Sequence, residues 1–429
     1  MSTTVALETL GCRLNQAESE DLARRFRAQG YRVVEPDASA DIYVLNTCTV
    51  THVADQKARH LISATRRRNP DALLVVTGCF AERVAPHLEG SSLVVGNADK
   101  ERIVPLVMER WPVVPNGNGN VEDGPHRTRG AIKIQEGCDD VCSYCVVPRT
   151  RGRERSVPAD EVVAQVRRCA AEGYREVVLT GTQPGYYGRD REGHADADLS
   201  SLVRRILDET GIWRLRLSSL QPQNVTPELL ALFADRRLCR HLHMPLQSGS
   251  DAVLQHMRRR YTVADYRRAV ETARAAIPDL SITTDVIVGF PGETDAEFEE
   301  SIGFCEALSF AAMHVFPCSR RPGTAAARLA EQVPRQVKKE RSERMIEAAR
   351  EMACRFRQGF LGRTLEVLWE AREPAGAWSG LTDNYIRVFA ATERLLANRL
   401  LPAHMVAAGE RGLWCEPELT GTECWLAPG

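Results

Sequence analysis

The 429-residue sequence has no run of apolar residues as long as the roughly 18 that a membrane-crossing helix needs. Its opening, MSTTVALETLG, has neither a positively charged start nor a long apolar stretch, which predicts no secretory signal. It also lacks a net charge: 56 basic residues against 57 acidic ones leave −1 at neutral pH. No global field therefore draws the molecule to RNA or to an anionic membrane, and any nucleic-acid contact must use a local basic patch. These absences predict a cytoplasmic chain with no membrane partner. What is present is ordinary for a globular protein, 43% hydrophobic and 26% charged, with length for about two to four domains. Thirteen cysteines, an odd number without an export signal, argue for thiolate chemistry rather than a disulfide framework.

Up to about residue 110, short apolar runs alternate with helical patterns. The runs are 5–10, 41–46, 73–78 and 93–96, and helices are predicted over 16–28, 53–68 and 100–110. This reads as an open parallel α/β sheet domain, 1–110. Residues 111–128, rich in Pro, Gly, Asn and Asp, read as a linker. A second series follows over 129–360. Strands are predicted at 131–136, 176–181, 213–219, 240–246, 281–289 and 312–317, and helices at 158–172, 198–210, 226–235, 262–276 and 294–308. Six βα units fit a partial or full barrel, whose chemistry sits on the loops after the strands. A charged helix is predicted over 335–360, and short β-like runs over 361–429 predict a small β-barrel. The fold class is therefore α/β, with a small all-β domain at its C-terminal end.

The segment EGCDDVCSYCVVPRTRGRERS places Cys138, Cys142 and Cys145 in a C-x3-C-x2-C spacing just after a predicted strand. Three soft thiolates on one short loop can hold three irons of a four-iron cluster. The fourth iron then stays open to a substrate, by the logic of open catalytic metal sites. A zinc loop would want a fourth ligand nearby, and the next His or Cys downstream is Cys169, on a predicted helix. Cys12, Cys48 and Cys79 lie in GCRLNQ, NTCTVT and TGCFAE, each directly after one of the first three predicted strands. Strand ends in an open α/β sheet face one crevice, so the three would converge there. They read either as ligands of a second cluster or as three small buried residues.

The cysteine loop, on the first strand of a six-unit series, resembles the radical S-adenosylmethionine (SAM) superfamily. Tyr144 matches the aromatic residue that superfamily keeps before its third cysteine. The motifs TLGCRLNQAESE, VLNTCTVT, VVTGCFAE, HMPLQSGSDAVLQHMRRRYT and TDVIVGFPGETDAEF together resemble the radical SAM methylthiotransferase family over nearly the whole chain. The resemblance implies an N-terminal auxiliary-cluster domain, a radical SAM (βα)6 partial barrel and a C-terminal TRAM-like barrel. It implies two 4Fe-4S clusters, one held by Cys138, Cys142 and Cys145 and one by Cys12, Cys48 and Cys79. It also implies SAM as cofactor, a tRNA substrate, an electron donor such as flavodoxin or ferredoxin, and a sulfur source. The reaction implied is transfer of a methylthio group to carbon 2 of a modified adenosine beside the anticodon. HLHMPLQSGSD and MRRRYT look most like the branch acting on N6-threonylcarbamoyladenosine. Other branches act on N6-isopentenyladenosine or on a ribosomal-protein aspartate.

Weaker signals complete the site. Gly181 and Thr182 end the second barrel strand where the superfamily contacts SAM, although the following Gln183-Pro184 departs from its pattern. Ser218 and Ser219 end the third strand; Gln247, Ser248 and Gly249 are expected to open a helix after the fourth; Asp285 to Gly289 are expected to pack adenine and ribose. Arg149, Arg151, Arg153 and Arg155 directly follow the cysteine loop and suit phosphate contact. From 362 to 429 there are six arginines, no lysines and nine acidic residues. Such a barrel is unusually acidic for an RNA binder, with Arg363 and Arg387 as its candidate contacts. Cys169, Cys239, Cys305, Cys318, Cys354, Cys415 and Cys424 are expected to be structural. A non-catalytic, metal-stabilised RNA-binding protein would also explain the cysteines and arginines, but gives no reason for six βα units.

Overall fold

The computed structural model describes residues 3–84, 92–112, 128–191 and 198–418. Most of the expected linker, and Cys424, lie outside the described residues. The chain forms two compact units. One comprises Met1–Pro125, Glu136–Glu154 and Ser319–Ala327; the other comprises His126–Gln135, Arg155–Cys318 and Arg328–Gly429.

The first unit is built on five parallel strands: β1 (Thr4–Thr9), β2 (Arg32–Val34), β3 (Ile42–Thr47), β4 (Leu73–Gly78) and β5 (Ser92–Val95), in the order β2-β1-β3-β4-β5. Helices α1 (Arg13–Ala28), α2 (His52–Arg68), α3 (Cys79–Val84) and α4 (Ile103–Arg110) link them. β3 is buried at all six positions, as a central parallel strand covered on both faces must be. Strand β2 and helix α3 are additions to the sequence expectation. Both are short, so their periodicity is too brief to register. The register sets Thr9 beside Asn46 and Thr47 beside Gly78. Three neighbouring strands thus end at one level.

In the second unit the barrel strands are β6 (Arg129–Glu136), β8 (Glu176–Gly181), β9 (Arg214–Leu217), β10 (His241–His243), β11 (Ser281–Val288) and β12 (Ala312–Pro317). After β6 the chain forms the short helix α5 (Val147–Arg151) and the two-residue strand β7 (Arg155–Ser156), which pairs beside β6. Parallel bridges Leu215–Leu238 and Ser219–His243 carry the sheet from β9 to β10. Among the described residues, β6 pairs with β7 and β8 and β12 pairs only with β11, so the barrel they form is open. Helices α6 (Ala159–Ala171), α7 (Leu199–Glu209), α8 (Pro227–Ala231), α9 (Asp251–His256), α10 (Val263–Ala276), α11 (Asp295–Leu308) and α12 (Arg335–Gln358) complete the unit. Thr262 with Asp265 and Thr294 with Glu297 form reciprocal capping boxes that start α10 and α11. One apolar core joins Val162, Val166, Val203, Ile206, Tyr266 and Val270 of the helices to Ile132, Leu179, Leu217, Leu242, Ile282 and Val286 of the strands. Alternation then turns the intervening strand residues to the opposite, inner face.

Strands β13 (Thr364–Arg372), β14 (Trp378–Thr382), β15 (Arg387–Ala390), β16 (Leu400–Ala408) and β17 (Leu413–Pro417) close into a barrel in the order β13-β14-β15-β17-β16. Its turn after β14 meets the N-terminal ends of the open-barrel strands. Arg214 donates to Leu381 O at 3.0 Å and Arg216 to Asp383 O at 2.9 Å. Arg240 reaches the Asp383 carboxylate at 2.6 Å, and Tyr385 stacks on His241 with centroids 4.4 Å apart. Beneath this turn Arg216 grips Glu176 bidentately, at 2.7 and 3.0 Å.

Candidate iron–sulfur and cofactor site

Cys12 is the N-cap of α1, Cys48 directly follows β3, and Cys79 opens α3. All three leave the aligned ends of β1, β3 and β4. Two glycines permit the crowding. A Cβ on Gly11 would stand 2.7 Å from Cys48 Cβ and 3.2 Å from its Sγ; one on Gly78 would stand 2.3 Å from Thr47 O. Both glycines have positive φ, 116° and 94°, a region that penalises any side chain. The sulfurs are individually supported. Val50 N–H donates to Cys48 Sγ at 3.5 Å, and Asn97 Nδ2 to Cys79 Sγ at 3.8 Å; the Cys12 thiol lies 3.8 Å from Asn15 Oδ1. Cys48 and Cys79 are buried, while Cys12 is exposed. Burial pushes the Cys48 thiol up to about 11, so a metal must displace its proton on binding.

The second set belongs to a loop that folds back on itself. Cys138 N–H bonds Gly152 O at 3.1 Å, Cys145 N–H bonds Cys142 O at 3.1 Å, and Val147 N–H points to Cys145 Sγ at 3.4 Å. Gly137 (φ 76°) lies so close to Arg153 O that a Cβ would stand 1.8 Å from it. Cys138 is buried, and burial raises its thiol to about 11. Among the described residues, none of the twelve cysteines is in a disulfide. Two separate sets of three thiols, with N–H donors on the sulfurs of Cys48, Cys79 and Cys145, fit the donor chemistry of iron–sulfur clusters.

The arginine run divides. Arg149, Arg153 and Arg155 are exposed, whereas Arg151 is buried. Its guanidinium reaches Glu18 Oε1 at 2.7 Å and Asn15 Oδ1 at 2.6 Å. Glu18 also pairs with Lys100, which lies 3.3 Å from Asn46 Oδ1. The preceding residue, Thr150, accepts from Asn97 Nδ2 at 2.5 Å. Adjacent residues of α5 thus hold the two asparagines that neighbour Cys12 and Cys79. The expectation that Arg151 contacts phosphate is corrected: its charge is spent on a buried carboxylate. Asn15, Glu18, Asn97 and Lys100 went unread in the sequence. Only the i, i+3, i+6 spacing of Cys12, Asn15 and Glu18 on α1 could have signalled them.

Around the inner face of the open barrel, Gly181 ends β8, Thr182 follows it, and Ser218 and Ser219 follow β9. The hydroxyls of Thr182 and Ser218 are buried, and among the described residues they have no hydrogen-bond partner. Orphaned buried hydroxyls at strand ends fit a polar ligand such as SAM. The backbone of Ser219 bridges to His243. Ser248 departs from expectation. It is fully buried, its hydroxyl lies 3.1 Å from Ser301 Oγ, and the helix after it begins only at Asp251. Gln247 has φ 69° and pairs its backbone with Asp285 and Ile287. Gly289 has φ 70° and donates to Glu293 at 2.6 Å. Asp285 packs against two imidazoles, those of His243 and His314. Tyr144 is half-buried in the cysteine loop.

The C-terminal candidates are also engaged within the chain. Arg363 pairs with Asp279 at 2.5 Å and Arg387 with Glu370 at 2.9 Å. These pairs join strands and barrels, and both arginine side chains stay partly exposed. Cys169, Cys239, Cys305, Cys318 and Cys415 are buried.

Comparison with known proteins agrees with this geometry. The model of the radical SAM superfamily matches residues 132–305, and that of uncharacterized protein family UPF0004 matches 4–96. Threonylcarbamoyladenosine tRNA methylthiotransferase MtaB of Bacillus subtilis is 38% identical over 95% of this chain and 94% of its own length. Its namesake from Thermotoga maritima is 38% identical over 94% of each chain. The tRNA-2-methylthio-N(6)-dimethylallyladenosine synthase of Syntrophotalea carbinolica is 34% identical over 94% of this chain and 97% of its own. Among solved structures, the radical SAM methyltransferase TsrM from Kitasatospora setae superposes with TM-score 0.53 at 17% identity, covering 73% of each chain. That likeness concerns the fold alone. The chain belongs to the radical SAM methylthiotransferase family.

Proposed function

We propose that this protein is a tRNA methylthiotransferase that places a methylthio group on carbon 2 of N6-threonylcarbamoyladenosine beside the anticodon. The relatives named for that nucleoside support the substrate, at 36–38% identity over most of the chain. The observation that carries the chemistry is the presence of two three-cysteine sets, one on the loop after β6 and one at the ends of β1, β3 and β4. When bound, two 4Fe-4S clusters and SAM supply one-electron cleavage of SAM, hydrogen abstraction from an unactivated carbon, and methylated sulfur for transfer.

In this reading Cys138, Cys142 and Cys145 hold the cluster at which SAM is cleaved, beside Tyr144. Cys12, Cys48 and Cys79 hold the auxiliary cluster. Thr182 and Ser218, with Gly181 and Gly289, line the SAM site. Asn15 and Asn97 orient the sulfurs of Cys12 and Cys79, and Arg151 offsets negative charge there. Arg149, Arg153 and Arg155, all exposed, face the tRNA phosphates. The working parts are residues 1–110 for the auxiliary cluster, 129–360 for the radical SAM core and 361–429 for the small barrel, with 111–128 linking. The reaction needs an electron donor of the flavodoxin or ferredoxin class and a sulfur source. A tRNA substrate places it in the cytoplasm; among the described residues no helix is long and apolar enough to cross a membrane.

Nucleoside mass spectrometry of tRNA from a strain lacking the gene tests the substrate. The 2-methylthio form of N6-threonylcarbamoyladenosine should vanish while its unthiolated precursor accumulates. Persistence of the methylthio form at wild-type level would refute the assignment.

A further inference from the structure

The inner face of β10, β11 and β12 carries a connected polar group that the reaction above does not use. Leu242, Ile282 and Val286 point into the helix-backed core. Alternation therefore turns His243, Asp285 and His314 to the inner face, and the register sets Asp285 directly beside His314. His314 Nδ1 lies 3.0 Å from Asp285 Oδ1, and His243 Nε2 lies 3.3 Å from Oδ2. On its other side His243 Nδ1 lies 2.9 Å from the Thr283 hydroxyl, which is 2.9 Å from His241 Nε2.

One proton assignment satisfies these four contacts. His241 donates to Thr283, Thr283 donates to His243, and both His243 and His314 donate to Asp285. The carboxylate is thereby fixed in place. The two imidazoles, outweighing its burial, hold it well below the usual carboxylate range. It uses two of its roughly four acceptor positions. Beside it are two exposed rings: His314, 66% exposed, and Phe316, 40% exposed two residues along the same face, with centroids 6.4 Å apart. A fixed acceptor next to exposed rings suits a flat heterocycle bearing hydrogen-bond donors.

We propose that His243, Asp285 and His314 recognise the polar N6 substituent of the substrate adenosine, Asp285 accepting from its carbamoyl N–H and hydroxyl groups, with the substituent's own carboxylate turned away from Asp285, while His314 and Phe316 flank the base. This rests on the tRNA substrate proposed above and explains how the site would choose between modified adenosines. A dimethylallyl group offers no donor, so its binding would desolvate the carboxylate without compensation.

The test uses reconstituted holoenzyme and one tRNA in three forms, carrying threonylcarbamoyladenosine, dimethylallyladenosine or unmodified adenosine at the target position. The readout is the ratio of Kd values among the three, which a general loss of fold would not shift selectively. Wild type should prefer the threonylcarbamoyl form over the unmodified one by about tenfold or more. Asp285→Asn and His314→Leu should reduce that preference to within about twofold, while His314→Asn, whose Nδ2–H stands in for the imidazole Nδ1–H towards Asp285, should retain most of it. Should Asp285→Asn fail to fold, the exposed His314 carries the test alone. Undiminished preference in His314→Leu would overturn the inference. So would a divalent metal bound beyond the clusters and lost in Asp285→Asn, since the three ligand atoms lie within 4.8 Å of one another. Wild-type preference for the dimethylallyl form would instead overturn the substrate assignment, and this inference with it.

Discussion

Glu176 is wholly buried at the floor of the open barrel, where Arg216 takes both its oxygens and Arg129 lies 3.9 Å away. Burial alone would raise its pKa, but Arg216, Arg129 and Arg214 outweigh it and hold it at about 2. Its folded value is thus below its unfolded one, near 4.5. The stabilisation is present above about pH 4.5 and is lost as pH falls towards about 2. Glu176→Gln should cost about 3–5 kcal/mol at pH 7, because it strands buried arginines. Urea unfolding should show the gap between variant and wild type narrowing from pH 6 to pH 3; a constant gap would contradict the pairing. Arg151 makes the same point about legibility. A run of four arginines reads as surface charge, yet the carboxylate that buries one of them is Glu18, 133 positions away. The cysteines were legible because few other roles gather three thiols in eight positions.

Parallel strands and their following helices were read close to their observed bounds. Strand β8 was expected over 176–181 and is Glu176–Gly181; β12 was expected over 312–317 and is Ala312–Pro317. Buried strands are continuous apolar runs, and capping boxes announce the helices. Strand β7, Arg155–Ser156, was missed because two residues carry no alternation. The helix expected at Gln247–Gly249 was misplaced because Ser248 ties this loop to Ser301 of α11, a contact no local pattern announces. The two cysteine sets occupy different elements, so they should load independently. In the Cys138/Cys142/Cys145 triple-alanine variant, about four irons should remain after anaerobic reconstitution, with the spectrum of one four-iron cluster. An iron content near zero would refute a separate site at Cys12, Cys48 and Cys79.

Within the second unit the small barrel serves as the floor of the open barrel. Leu381 at the end of β14 accepts from Arg214 and Asp383 in the turn after it accepts from Arg216, while Glu370 takes Arg129 at 2.6 Å. Truncation after residue 360 should therefore cost more than RNA affinity, because it strands buried arginines. The truncated chain should unfold at lower urea than the intact one, or fail to accumulate in soluble form. A truncated chain as stable as the full one would show that the floor is dispensable. The acidic composition expected to weaken RNA binding thus has a structural use: those carboxylates and carbonyls receive the arginines of the open barrel. By itself the sequence determined the order of elements, the two cysteine sets and the family, because strand period, turn residues and thiolate spacing are local or nearly local. The tertiary structure alone decided which charges face solvent and which are spent inside. It placed Asn15 and Asn97 at the sulfurs, and it joined His243, Asp285 and His314 from three strands. Such pairings depend on strand register and on distances between residues far apart in the chain, which no local pattern encodes.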